Sequence, residues 1–262
     1  MDVVIQDWDT YSAQGIVVFT LNRPQHRNAL NRVAAEKLST CFRQFDNDDR
    51  YKVAILYGGT NVFCSGADLK AVASGDEKQM NRLEPDGDSP MGVARMMLSK
   101  PVIAAICGYC VAGGLELALW CDLRVADEET VFGVFCRRWG VPLIDGGSVR
   151  LPRLIGQSRA MDLILTGRPV SAKEAYEILA PLGKALDVAV ELATLISSFP
   201  QECMRSDRKS MYEQHGLSLN DALKNEFGLG VGSLRREGVS GAKRFESGSG
   251  RHGQAATLTA KL

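Results

Sequence analysis

The stretch KPVIAAICGYCVAGGLELALWCD, residues 100–122, decides the reading of this 262-residue chain. Its β-branched apolar run Val102-Ile103-Ala104-Ala105-Ile106 suits a strand buried on both faces, because alternation disappears where neither side meets water. Gly108 and the pair Gly113-Gly114 then permit backbone angles and close approaches that a Cβ blocks. Leu115-Glu116-Leu117-Ala118-Leu119-Trp120 continues in good helix formers. The expectation is a strand that hands over to a helix through glycine. Such a handover exposes unpaired amide N–H groups at the positive end of a helix dipole, a place to hold an oxygen carrying negative charge. Glu116, one carboxylate in an apolar helix start, would stand beside that oxygen with a raised pKa and trade protons near neutral pH. The same residues also fit a glycine-rich turn in which Glu116 merely favours the dipole.

Working outward, residues 3–8 and 16–21 read as two strands of a hairpin, and from Asn28 the apolar spacing through Leu30, Val33, Ala34, Leu38, Phe42 and Phe45 predicts a helix closed by Asn47-Asp48-Asp49. Residues 53–57 form another buried-type strand. Polarity rises over residues 74–90, which predicts a mobile loop or a poorly ordered link, followed by a short helix over 91–98 and a strand over 123–126. Beyond Gly146-Gly147 the chain turns helical: over 158–165, after the capping-box spacing at Ser171-Ala172-Lys173-Glu174, over 186–199 up to Pro200, and from Ser218 to Leu234. Small polar residues over 247–253 predict fraying. The layout is an α/β core over residues 1–197 and a helical region over 198–262.

Composition narrows the function classes. Thirty-one basic residues balance 31 acidic ones, so no global field argues for nucleic acid or an anionic membrane. No apolar run approaches the ~18 residues that span a bilayer, and the acidic, strand-like N-terminus lacks the marks of a signal or transit peptide. Seven cysteines, an odd number, suit a reducing compartment better than a disulfide framework. The expected location is the cytoplasm, or the mitochondrial matrix in a eukaryote.

Four segments carry a resemblance to the crotonase superfamily of enoyl-CoA hydratases and isomerases. They are Leu21-Asn22-Arg23-Pro24 with Asn28-Ala29-Leu30-Asn31, Phe63-Cys64-Ser65-Gly66-Ala67-Asp68-Leu69, residues 100–122, and Phe132-Gly133; weaker likeness continues to Thr166-Gly167. The resemblance implies a spiral of ββα units with a helical C-terminal region for trimerisation, as homotrimers or dimers of trimers. It also implies an acyl-CoA substrate, a place in fatty acid metabolism, no metal, and no cofactor beyond the coenzyme A that the substrate brings. By position, the backbone N–H groups of Ala67 and Gly113 would bind the thioester oxygen, where enolate charge develops and fixed dipoles stabilise the transition state. The stretch Ala67, Asp68, Leu69 and Lys70, with Arg23 and Arg27, would lie along the CoA.

One position departs from the family pattern. Hydratases of the family use two glutamates that share a water; Glu116 matches the first, whereas the second falls on Cys136, whose thiol cannot anchor water as a carboxylate does. Asp145, in Leu143-Ile144-Asp145-Gly146-Gly147, is the candidate replacement, or else a turn residue capping the next helix. The expected activity is reversible addition of water to 2-trans-enoyl-CoA, with an isomerase, another CoA lyase or a catalytically impaired acyl-CoA binder as alternatives. Cys107-Gly108-Tyr109-Cys110 has CxxC spacing, but no second ligand pair accompanies it for zinc. Gly108-Tyr109-Cys110-Val111-Ala112 resembles a nucleophile elbow with His215 or His252 as base, yet lacks the second glycine.

Overall fold

The computed structural model describes residues 3–175 and 178–248. Strands β1 (Val4–Asp7) and β2 (Ile16–Leu21) pair antiparallel as the expected hairpin. Helix α1 (Arg32–Asn47) starts where the Asn31 side chain accepts the N–H of Ala34. It buries Ala34, Leu38, Phe42 and Phe45, the stripe visible in the sequence. At its other end the buried Lys100 Nζ donates to the carbonyl oxygens of Phe45 and Asp48, both at 2.9 Å, placing a cation on the negative end of the helix.

The chain then repeats a pattern. Strand β3 (Val53–Tyr57) is followed by β4 (Val62–Cys64) and helix α2 (Leu69–Ser74); β5 (Val102–Ile106) by β6 (Tyr109–Val111) and α3 (Gly113–Trp120); β7 (Leu123–Asp127) by β8 (Val131–Gly133). Helices α4 (Gly147–Ile155) and α5 (Gln157–Thr166), strand β9 (Val170–Ser171), the short α6 (Ala172–Ala175), strand β10 (Ile178–Ala180) and helix α7 (Ala185–Ser198) follow. One sheet has the order β1-β2-β3-β5-β7-β10 and the other β4-β6-β8-β9. Each ββα turn therefore contributes one strand to each sheet, parallel to its predecessor, and the chain climbs as the resemblance implies.

Three expectations change here. Gly108 does not hand a strand to a helix; it is the corner between β5 and β6, at φ +65°, and a Cβ there would lie 1.9 Å from the carbonyl oxygen of Asn61. The handover comes one strand later, at Gly113. Residues 91–98 form no helix. Their amides bond elsewhere, Met91 N–H to Asp145 at 2.8 Å and Ala94 N–H to the Ser89 hydroxyl at 2.9 Å, and Gly92 (φ +89°) lies against the backbone of Ala35 in α1. The preceding polar loop is tied rather than free: Arg32 N–H donates to the Gln79 carbonyl and Asn81 is buried.

The chain divides into two compact units, Met1–Ala193 and Thr194–Leu262. The second holds α8 (Gln201–Glu213), which the sequence reading missed, α9 (Leu219–Ser233) and α10 (Val239–Glu246). Helices α8 and α9 form a hairpin, tied by Ser206 to Ser233 at 3.2 Å and Asn225 to Glu213 at 2.9 Å. Ser218 caps α9 through the N–H of Asp221. Among the described residues no helix is long and apolar enough to cross a membrane. His252 and most of the stretch 247–253, expected to fray, lie outside the described residues.

Candidate active site

A cavity of about 810 Å³ opens in the first unit, and the ends of successive ββα turns line it. After β4, the loop carrying Ala67 pairs with Leu30: the Leu30 N–H donates to the Gly66 carbonyl at 2.8 Å, and the Asp68 N–H donates to the Leu30 carbonyl at 2.9 Å. Backbone groups alternate in direction along an extended chain, so the N–H of Ala67 points away from Leu30. No hydrogen bond among the described residues claims it. After β6, the N–H of Gly113 is likewise unclaimed, as the first residue of α3 must leave it.

These two loops touch. A Cβ on Gly66, which sits at φ +97°, would lie 2.8 Å from the nitrogen of Gly113 and 3.0 Å from the Cβ of Ala112. Ala112 holds φ 54° and ψ −128°, a conformation that costs a non-glycine residue on the order of 1–3 kcal/mol and is found where the surroundings enforce it. Ala112, Gly113 and Glu116, at the start of α3, line the cavity.

Glu116 is the one charged residue of α3, whose eight residues are all buried. At 3% exposure its carboxylate is held through Oε1, which accepts the N–H of Asp145 at 2.9 Å and that of Gly147 at 2.8 Å. Gly147 opens α4, so a second helix N-terminus faces this carboxylate. A Cβ on Gly147 would come within 2.9 Å of Oε1. Oε2 takes no partner among the described residues, and Glu116 lines the cavity. Burial pushes its pKa up to about 7; the Gly147 amide pulls against this, and the charge of Asp145 adds to it.

Asp145, 4% exposed, lines the same cavity. Its Oδ1 accepts the Met91 N–H at 2.8 Å, and burial raises its pKa above the ordinary carboxylate value against that bond and one from Ser89. Two buried carboxyl groups thus line one cavity, and the charge of Asp145 disfavours ionisation of Glu116. Cys136 follows β8 in a 3-10 turn, Phe135–Trp139, and also lines the cavity. Burial, and then the charge of Glu116, raises its thiol pKa, so it is a protonated, apolar wall at neutral pH.

Of the residues expected along the CoA, Arg27, Ala67, Asp68, Leu69 and Lys70 line the cavity. Arg23 does not: its guanidinium donates to the Ala29 carbonyl and pairs with Asp68 Oδ2 at 3.0 Å. The carboxylate of Asp68 is also engaged internally, accepting the N–H groups of Lys70 and Ala71 as cap of α2. Burial alone would raise the Asp68 pKa, but Arg23 and the helix amides outweigh it and hold it below the ordinary value. The CxxC thiols are buried; burial pushes Cys107 up to about 12, and Cys110 sits within β6. Met91 and Asn81 were not singled out by the sequence, although both line the cavity.

The chain is similar to known proteins over most of its length. The family model described as enoyl-CoA hydratase/isomerase matches residues 11–229. A Mycobacterium tuberculosis protein named enoyl-CoA hydratase EchA19 is 34% identical over 82% of this chain and 84% of its own length. A probable enoyl-CoA hydratase of Mycobacterium leprae, echA8, is 35% identical over 83% of this chain and 85% of its own. The crystal structure of an enoyl-CoA hydratase from M. tuberculosis H37Rv superposes with a TM-score of 0.86 at 32% identity, covering 94% of this chain and 96% of that one.

Proposed function

The chain belongs to the enoyl-CoA hydratase/isomerase family, and from that premise we propose that it adds water reversibly across the double bond of a 2-trans-enoyl-CoA thioester. The N–H groups of Ala67 and Gly113 hold the thioester oxygen as it gains enolate charge. Glu116 and Asp145 carry one proton between them. The ionised member takes the proton of the attacking water, and the protonated member delivers its own to the α carbon. One observation carries the reading: Glu116 is pinned through one oxygen by two backbone amides, which leaves the other without a partner among the described residues, and the cavity it lines is also lined by Ala67 and Gly113, whose N–H groups are unclaimed.

The pair titrates as a unit. At high pH both members are ionised and no acid remains; at low pH both are protonated and no base remains. A bell-shaped dependence of kcat/KM follows, with its alkaline limb near pH 7, where Glu116 titrates. Asp145→Asn is expected to lower kcat by about ten- to hundredfold and to flatten the acid limb, as followed by loss of enoyl absorbance. An unchanged profile would remove Asp145 from the mechanism. A panel of 2-enoyl-, 3-enoyl- and 3-hydroxyacyl-CoA thioesters read by mass spectrometry tests the reaction itself. Interconversion of 2- and 3-enoyl species without hydration would assign the same proton shuttle to an isomerase. Binding without turnover would mark an acyl-CoA binder.

Arg27 and Lys70, at the cavity, supply cations for the CoA phosphates, and the thioester itself provides the acidity that the reaction needs. The helical second unit serves homotrimer formation, alone or as a dimer of trimers: Leu219, Leu223 and Phe227 recur every fourth residue along α9 and are exposed, as are Leu234 and Phe245 beyond it. Light scattering should therefore give three or six chains; a monomer would refute this. A cytoplasmic location fits the seven free cysteines.

A further inference from the structure

Asn81 belongs to the polar stretch 74–90 that the sequence predicts to be a mobile loop, yet it is 6% exposed and lines the cavity. Its Nδ2 donates two hydrogen bonds, to the Leu30 carbonyl at 3.1 Å and to the Pro90 carbonyl at 2.8 Å. The orientation of the amide is fixed, because a flip would set its oxygen against those two carbonyl oxygens. Oδ1 is buried and takes no partner among the described residues. A buried acceptor left unpaired costs stability, and the two bonds that Nδ2 donates are what offset that cost.

The two carbonyls belong to the two supports of the site. Leu30 is the bridge partner of Ala67, through bonds of 2.8 and 2.9 Å on either side of it. Pro90 precedes Met91, whose N–H fixes Asp145 at 2.8 Å and whose Sδ would lie 2.9 Å from a Cβ on Gly113. One support therefore sets the Ala67 amide; the other abuts the Gly113 residue and anchors the second carboxylate. Asn81 is tied to both.

We infer that Asn81 is a positioning residue that locks the Ala67 and Gly113 amides and the Asp145 carboxylate into one register around the thioester. This rests on the amide pair holding the thioester carbonyl, as proposed above. Donors fixed in advance are effective because nothing has to reorganise as charge develops, and a displacement on the order of 1 Å is costly.

The test uses Asn81→Leu, of similar volume with no donor, and Asn81→Ala in case the branched side chain crowds the loop. Steady-state hydration of crotonyl-CoA is measured alongside the absorption of bound cinnamoyl-CoA, which moves to the red when its carbonyl is polarised. The expected result is a fall in kcat of about ten- to hundredfold with KM little changed, and a smaller red shift, in protein that remains folded by circular dichroism. A purely structural asparagine would lower the melting temperature and leave kcat and the red shift of the folded fraction as they were; that outcome overturns the inference. Should the wild-type protein bind cinnamoyl-CoA with no red shift, the amide pair itself is misassigned and the inference falls with it. The two failures are thereby told apart.

Discussion

Glu116→Gln should lower kcat about a thousandfold, within the range that a positioned acid or base contributes, and leave the fold intact. Glutamine keeps the volume and an oxygen to accept the Asp145 and Gly147 N–H groups now held by Oε1, while the group facing the cavity can no longer gain or lose a proton. Steady-state hydration of crotonyl-CoA measures the effect; a loss below about tenfold would remove Glu116 from the proton path.

The same variant should be more stable than the wild type in alkaline solution. Folding raises the Glu116 pKa from 4.5 to about 7, chiefly by burial, so the protonated form is the one the fold favours. Its stabilising contribution is complete below pH 4.5 and is lost as pH climbs to about 7, a change of roughly 3 kcal/mol. Glutamine cannot ionise and avoids that loss. The melting temperature of Glu116→Gln should therefore exceed that of the wild type at pH 8 by several degrees, with the gap narrowing toward pH 5. A gap that widens on acidification would contradict the raised pKa.

Gly66→Ala is the second large effect, and it reaches backbone donors that side-chain deletion cannot. Gly66 stands at φ +97°, and its new methyl would lie 2.8 Å from the Gly113 nitrogen and 3.0 Å from the Ala112 Cβ. The two loops must part, or Gly66 must leave its conformation and carry the Ala67 N–H with it. Either movement spoils one donor, and the expected fall in kcat is about a hundredfold or more, equal to about 3 kcal/mol of transition-state stabilisation. A folded variant turning over at the wild-type rate would show that these amides do not hold the carbonyl.

Much of this was legible in the sequence, for definite reasons. The strand over 102–106 and the buried face of α1 stand out because long periodic patterns record burial directly. Strands β4, β6 and β8, with three residues each, are too short to show a period, so the second sheet stayed hidden although the site is built on its ends. Residues 91–98 have helix-like apolar spacing, but the amides of Met91 and Ala94 are claimed by Asp145 and Ser89, which no local pattern reveals. Arg23 and Arg27 look equivalent along the chain, and only the fold shows that Arg23 is committed to Asp68. Asn81 depends on a bond to Leu30, 51 positions away.

The order β4-β6-β8 explains why this architecture lends itself to stabilising an anion. Two donors that each reach one oxygen at about 2.9 Å from opposite flanks must stand roughly 5 Å apart, which is close to the separation of neighbouring strands. Any two adjacent rungs that end by baring an amide can cradle a carbonyl without further adjustment. The third rung, where Cys136 follows β8, is then free to vary its chemistry while the cradle beneath it stays the same.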